Sequence, residues 1–167
     1  MICIFNWETG KSGMNVSEIM TKKPVTVRRN DMLYTALQKM EQAGCHHLPV
    51  MSGANHLIGI ITDKDCYMAL NIPLVEHDRW HENQQARQLR VKDAMTPAPI
   101  IVEPSTSAAE AARYMLVNHI SCLPVMRGET LVGIITNSDI LLAFIKSEQL
   151  KLTLEQNRSA SNIEDHQ

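Results

Sequence analysis

Aromatic residues are scarce. Two Phe, two Trp and three Tyr make up 4% of the 167 residues, so the core must be built from Ile, Leu, Val, Met and Ala. The ten Met residues bring side chains that adapt their shape more readily than rings do. Cysteine is sparse too: Cys3, Cys45, Cys66 and Cys122 contain no Cys-x-x-Cys pair and no regular spacing. This argues against a disulfide framework and fits reduced thiols in a reducing compartment. No apolar run approaches the roughly 18 residues needed to cross a bilayer. The opening "MICIFNW" is too short for a signal-peptide core and is followed directly by Glu8. Residues 1–13 therefore read as a flexible leader, and the expected location is cytoplasmic. Excess charge of one sign is also missing. Sixteen basic and 18 acidic residues leave a net charge of −2, no footprint for a broad nucleic-acid face.

Catalytic signatures are missing as well. "ETGKS" (8–12) looks like the end of a phosphate-binding loop, but the glycine required earlier would fall at Phe5, and no strand–loop–helix context surrounds it. No Ser-His-Asp set, paired catalytic acids or dinucleotide glycine loop is identifiable, so no enzyme is expected. Cys45-His46-His47 and His77-x₃-His81 do not supply the separated Cys/His pairs of a structural zinc site, so no metal is assigned. A redox or metal sensor at Cys45 would need an activated thiol.

What the chain does contain is a repeat. "VSEIMTKKPVTV" (16–27) returns as "VKDAMTPAPIIV" (91–102), and "HLPVM" (47–51) as "CLPVM" (122–126), each 75 residues on. "LIGIITDKD" (57–65) returns as "LVGIITNSD" (131–139), 74 residues on. One residue has been lost in the turn between strands. Each unit reads as an extended stretch ("PVTV" or "PIIV"), a helix, two strands near enough for a hairpin, and a second helix. The first helix carries Leu33, Ala36, Leu37 and Met40, or Ala108, Ala111, Ala112 and Met115, at helical spacing. Asp31 or Ser105–Ser107 can cap it. The expected class is α/β (α+β), β-α-β-β-α twice, with helices covering one face of each sheet. The repeats span 14–72 and 91–147, joined by a polar linker over 73–90. Residues 148–167 read as a polar, disordered tail.

Two such units, each with Met-Thr…Pro…Val, then Leu-Pro-Val, then Gly-Ile-Ile-Thr-x-x-Asp, resemble a tandem cystathionine-β-synthase (CBS) domain pair, the Bateman module, here stand-alone. The resemblance covers about residues 14–147. It implies a pseudo-twofold pair with sheets packed together and two clefts between the repeats. Those clefts would bind an adenosyl ligand: AMP, ADP, ATP, NAD or S-adenosylmethionine. No other cofactor is implied. A homodimer of pairs is implied, with a conformational signal passed to a regulated protein. Partners of nucleic acid or membrane are not implied. The alternative is a scaffold with silent clefts that acts by dimerisation or docking.

The repeated Thr-x-x-Asp has two readings. Thr62 with Asp65 and Thr136 with Asp139 match a helix capping box. By the resemblance, the same Asp accepts ribose hydroxyls, and the Thr and helix start meet phosphate. The resemblance also pairs each Asp with the other repeat's strand lead. His46 and His47 would then face Asp139 with Thr136, Asn137 and Ser138. Ser121 and Cys122 would face Asp65 with Thr62 and Lys64. Backbone around Thr21, Lys23, Pro24 and Val25, and around Thr96, Pro97, Ala98, Pro99 and Ile100, would line the adenine pocket, with Pro49 and Pro124 nearby. Core packing is the other reading of Val25 and Ile100. If both histidines meet phosphate, affinity should rise as pH falls from 8 to 6, since imidazolium attracts the anion.

Overall fold

A computed structural model describes residues 14–73 and 84–164. The proposed leader, most of the linker and His77 and His81 lie outside the described residues. The elements in chain order are α1 (Val16–Ile19), β1 (Thr21–Lys22), β2 (Val27–Arg28), α2 (Leu33–Ala43), β3 (His47–Met51), β4 (Leu57–Thr62), α3 (Asp63–Ala69), β5 (Thr96–Pro97), α4 (Ala108–Asn118), β6 (Cys122–Arg127), β7 (Thr130–Thr136) and α5 (Asn137–Glu164). The fold is α+β with two sheets.

The sheets do not coincide with the repeats. One is ordered β2-β3-β4-β5 and the other β1-β7-β6. Each repeat thus lends its first short strand to the other repeat's sheet. β1 pairs antiparallel with β7, Thr21 opposite Ile134, and β5 pairs antiparallel with β4, Thr96 opposite Ile60. The exchange extends into the cores. Val91 lies in the core built from Leu33, Leu37, Leu48 and Ile61, while Val16 lies in the core built from Ala111, Met115, Leu123 and Ile135. Backbone bonds tie the crossing segments down: Val16 N–H donates to Thr106 O, and Val91 N–H to Asp31 O.

The glycine of "GIIT" follows from this exchange. A Cβ on Gly59 would sit 2.9 Å from both Met95 Sδ and Thr96 O. On Gly133 it would sit 2.5 Å from Met20 Sδ and 3.0 Å from Thr21 O. The Met-Thr phrase of one repeat therefore lies directly over the glycine of the other, and no side chain fits between.

Three expectations are corrected. "PVTV" and "PIIV" are not continuous strands. The chain pairs at 21–22, crosses between sheets, and pairs again at Val27; in the second repeat Val102 makes only an isolated bridge to Val125. Asp31 does not cap α2, whose N-cap is Met32; its carboxylate accepts from Arg28 N–H instead. Ser107 does cap α4, accepting from Glu110 N–H. The expected disordered tail is helical to Glu164, because no Gly or Pro interrupts the chain after Asn137.

Candidate functional site

Both Thr-x-x-Asp phrases form the capping box. Asp65 Oδ2 accepts from Thr62 N–H (2.9 Å) and Thr62 Oγ1 (2.8 Å), while Asp65 N–H donates to Thr62 Oγ1 at 3.1 Å. Asp139 repeats this with Thr136 at 2.8, 2.8 and 3.4 Å. Each Asp commits Oδ2 to its helix and is only half-buried. Among the described residues no hydrogen bond reaches either Oδ1. Capping thus leaves one acceptor atom per carboxylate for something else.

Each Asp opens onto a cleft that both repeats build. The Asp139 cleft, about 340 Å³, is lined by Thr136, Asn137 and Ser138, by His46 and His47, and by Thr21, Lys23, Pro24 and Val25. The Asp65 cleft, about 510 Å³, is lined by Thr62 and Lys64, by Ser121 and Cys122, and by Thr96, Ala98, Pro99 and Ile100. These volumes suit a small-molecule ligand. The Asp139 cleft sets the first repeat's strand lead beside the second repeat's Asp, and the Asp65 cleft does the reverse. The strand exchange assigns the two lead-ins, 21–25 to Asp139 and 96–100 to Asp65.

Pro97 and Pro124 are corrections, since neither lines a cleft. Pro97 sits exposed in β5 opposite Gly59, between Thr96 and Ala98, which line the cleft. Pro124 is fully buried in β6, opposite Ile134, and its carbonyl accepts from Val102 N–H. Pro49 is buried likewise.

Several lining residues went unread in the sequence: Ala43, Gly44, Cys45 and Ile134 in one cleft, Ile60, Asn118, His119 and Ile120 in the other. Gly44 and His119 share a signal. Both end the first helix of their repeat in the left-handed region, at φ 59° and 54°. Lys23 (φ 50°) and Ala98 (φ 48°) are equally left-handed at equivalent positions, each before a proline. Non-glycine residues hold this conformation at a cost of roughly 1–2 kcal/mol. Nothing in Lys-Pro or Ala-Pro announces it. The strain recurs at the same place on both cleft walls.

The histidines differ from each other. His46 is exposed, with 74% of its side chain in solvent, and its Nδ1 lies 2.7 Å from Asp63 Oδ2. His47 is half-buried, with Nε2 2.7 Å from Ser121 Oγ. Burial pushes the His47 pKa below its ordinary value, only partly opposed by Asp63. The expected pair of phosphate-binding cations is thus reduced: His47 is held neutral near pH 7, and His46 already has a carboxylate partner. Lys23 is the other basic side chain on that cleft's lining. Cys45 gives no support to a redox reading, because burial raises its pKa away from thiolate. Burial also raises Cys66 and Cys122 to about 12. Among the described residues no three His, Cys, Asp or Glu side chains gather as a metal site.

The fold is a tandem of two like units with two clefts between them. The CBS domain family matches residues 16–72 and 91–146, and the chain belongs to that family. A CBS domain-containing protein of Dictyostelium discoideum is 31% identical over 132 residues, covering 78% of this chain and 91% of that protein. Inosine-5'-monophosphate dehydrogenase of Methanocaldococcus jannaschii is 30% identical over 125 residues, but these are 22% of the enzyme. Among solved structures, CBSX2 in complex with AMP superposes with TM-score 0.66 at 27% identity, over 81% of this chain and 99% of that one; the same protein is described from Arabidopsis thaliana. The CBS domain pair of protein MJ0100, in complex with 5'-methylthioadenosine and S-adenosyl-L-methionine, gives TM-score 0.69 at 26% identity, over 81% and 99% of the two chains. No helix among the described residues is long and apolar enough to cross a membrane.

Proposed function

We propose that this protein is a regulatory, non-catalytic module that binds an adenosyl ligand in the Asp139 cleft, and in the Asp65 cleft as well. The observation that carries this reading is the half-used carboxylate. In both clefts Oδ2 is spent on the helix cap while Oδ1 is left for a ribose hydroxyl, beside a strained backbone turn at Lys23 or Ala98. CBS-pair relatives that hold AMP or S-adenosyl-L-methionine support the ligand class. A ligand acts only through different affinities for two conformations, so the signal is a change in how the module packs on itself or on a regulated protein. The test is isothermal titration of nucleotide-free protein with AMP, ATP, NAD and S-adenosylmethionine in turn. A micromolar constant for one names the ligand; no heat with any refutes the reading.

A second copy of the chain is the natural partner in this reading. Leu116, Val117, Leu141, Phe144 and Ile145 on α4 and α5 are each at least half exposed. Such an apolar face on paired helices suits the homodimer of pairs that the family resemblance implies. Light scattering should give twice the chain mass. A Leu116→Glu/Phe144→Glu double variant should give the monomer. These apolar side chains also keep the scaffold alternative alive, and that alternative takes first place if no adenosyl compound binds.

A further inference from the structure

The wall between the two clefts is thin, and one hydrogen bond runs through it. His47 lines the Asp139 cleft and Ser121 lines the Asp65 cleft. His47 Nε2 and Ser121 Oγ are 2.7 Å apart, 74 residues apart in sequence. Beside them Ile60, Cys122 and Ile134 form one buried cluster, with Ile60 and Cys122 facing one cleft and Ile134 the other. We propose that the two clefts are thermodynamically coupled through the His47–Ser121 pair, so that filling either raises the affinity of the other. The inference rests on the ligand reading above and adds its regulation.

The sign follows from what each ligand does to the pair. A neutral imidazole has one donor and one acceptor nitrogen, and His47 has given Nε2 to Ser121. A phosphate in the Asp139 cleft draws the ring toward a charge-assisted bond. That releases Ser121 Oγ to the Asp65 cleft. Conversely, a ligand in the Asp65 cleft that takes Ser121 Oγ leaves a half-buried ring nitrogen without its partner, which is unfavourable until a ligand in the Asp139 cleft satisfies it. Either ligand disrupts the same bond, and the second finds it already broken. Linkage makes the effect equal in both directions.

The experiment is calorimetric titration of the full chain with AMP. Asp65→Asn and Asp139→Asn each disable one ribose site while keeping a carbonyl oxygen for the helix cap, and they report the isolated constant of the remaining cleft. In the unaltered protein the second AMP should bind about 5- to 10-fold tighter than the isolated constant. Ser121→Ala should bring that factor to one, and Ser121→Thr, which keeps the hydroxyl, should restore it. A factor of one in the unaltered protein, or an undiminished factor in Ser121→Ala shown folded by its melting curve, overturns the coupling. AMP in one cleft alone also overturns it while leaving the ligand reading standing for that cleft and ending it for the other. No heat with AMP, ATP, NAD or S-adenosylmethionine in any variant overturns both.

Discussion

Aligning the repeats sets Thr62 and Asp65 on Thr136 and Asp139, and Gly59 on Gly133. It also sets Lys23 against Ala98, His46 against Ser121, His47 against Cys122, and Lys64 against Ser138. What is duplicated is scaffold: the helix cap, the clearance for a crossing strand, the left-handed turn. What diverges is the chemistry of the walls. The Asp139 cleft holds one lysine on its lead-in and two histidines. The Asp65 cleft holds its lysine beside the aspartate, with a hydroxyl and a thiol in place of those two histidines and His119 at the end of α4. Even the His46–Asp63 pair has no twin, since Ser121 and Asn137 stand at the matching positions. There only the backbone bond from the first helical residue survives, Asp63 N–H to His46 O and Asn137 N–H to Ser121 O. One fold is present twice, with two different sets of side chains on its cleft walls.

The largest way to break this comparison is at the glycines. Gly59→Ala and Gly133→Ala should each destabilise the fold by about 1–3 kcal/mol, the range for overpacking, read from urea midpoints. Each glycine faces a backbone carbonyl that cannot swing away, Thr96 O at 2.9 Å from a Cβ on Gly59 and Thr21 O at 3.0 Å from one on Gly133, so the two losses should be of similar size. Equal stability to the unaltered protein in both would contradict the strand exchange.

Next come the aspartates. Asp139→Ala and Asp65→Ala should each cost about 1 kcal/mol of stability as lost caps, and each should weaken AMP binding in its own cleft at least tenfold. A cap-sized loss of stability with unchanged affinity would reduce both residues to helix caps and separate the two readings of the repeated phrase.

The smallest effect distinguishes the histidines. The folded-state pKa of His47 lies below its ordinary value of 6.5 because burial disfavours the charged ring. The unfolded chain therefore binds more protons between the two values, and stability falls as pH drops below about 6.5. His47→Gln should lose this part of the pH dependence, compared by urea unfolding at pH 7.5 and 5.5. An identical pH profile in His47→Gln would show that His47 is not held neutral by the fold.

Much of this architecture could be read without coordinates. The 75-residue repeat, the helical spacing of Leu33, Ala36, Leu37 and Met40, and the Thr-x-x-Asp caps are local patterns. Each depends on residues a few positions apart, so composition and spacing carry them. The CBS resemblance then pointed to which strand lead faces which Asp. It could not see that Pro124 is buried inside β6, since that depends on what packs across from Ile134. The helix runs on to Glu164 through a polar stretch, because neither Gly nor Pro interrupts it.

Sequence alone determined two copies of one unit, their capped helices and the residue types brought to each cleft. Tertiary structure decided the exchange of edge strands, the left-handed turns at Lys23 and Ala98, the neutrality of His47 and its bond to Ser121. The reason is range. Caps and periodicity are settled within a few turns of chain, whereas pairing Thr21 with Ile134, or placing His47 against Ser121, joins residues more than 70 positions apart. Such contacts exist only once both halves have folded against each other.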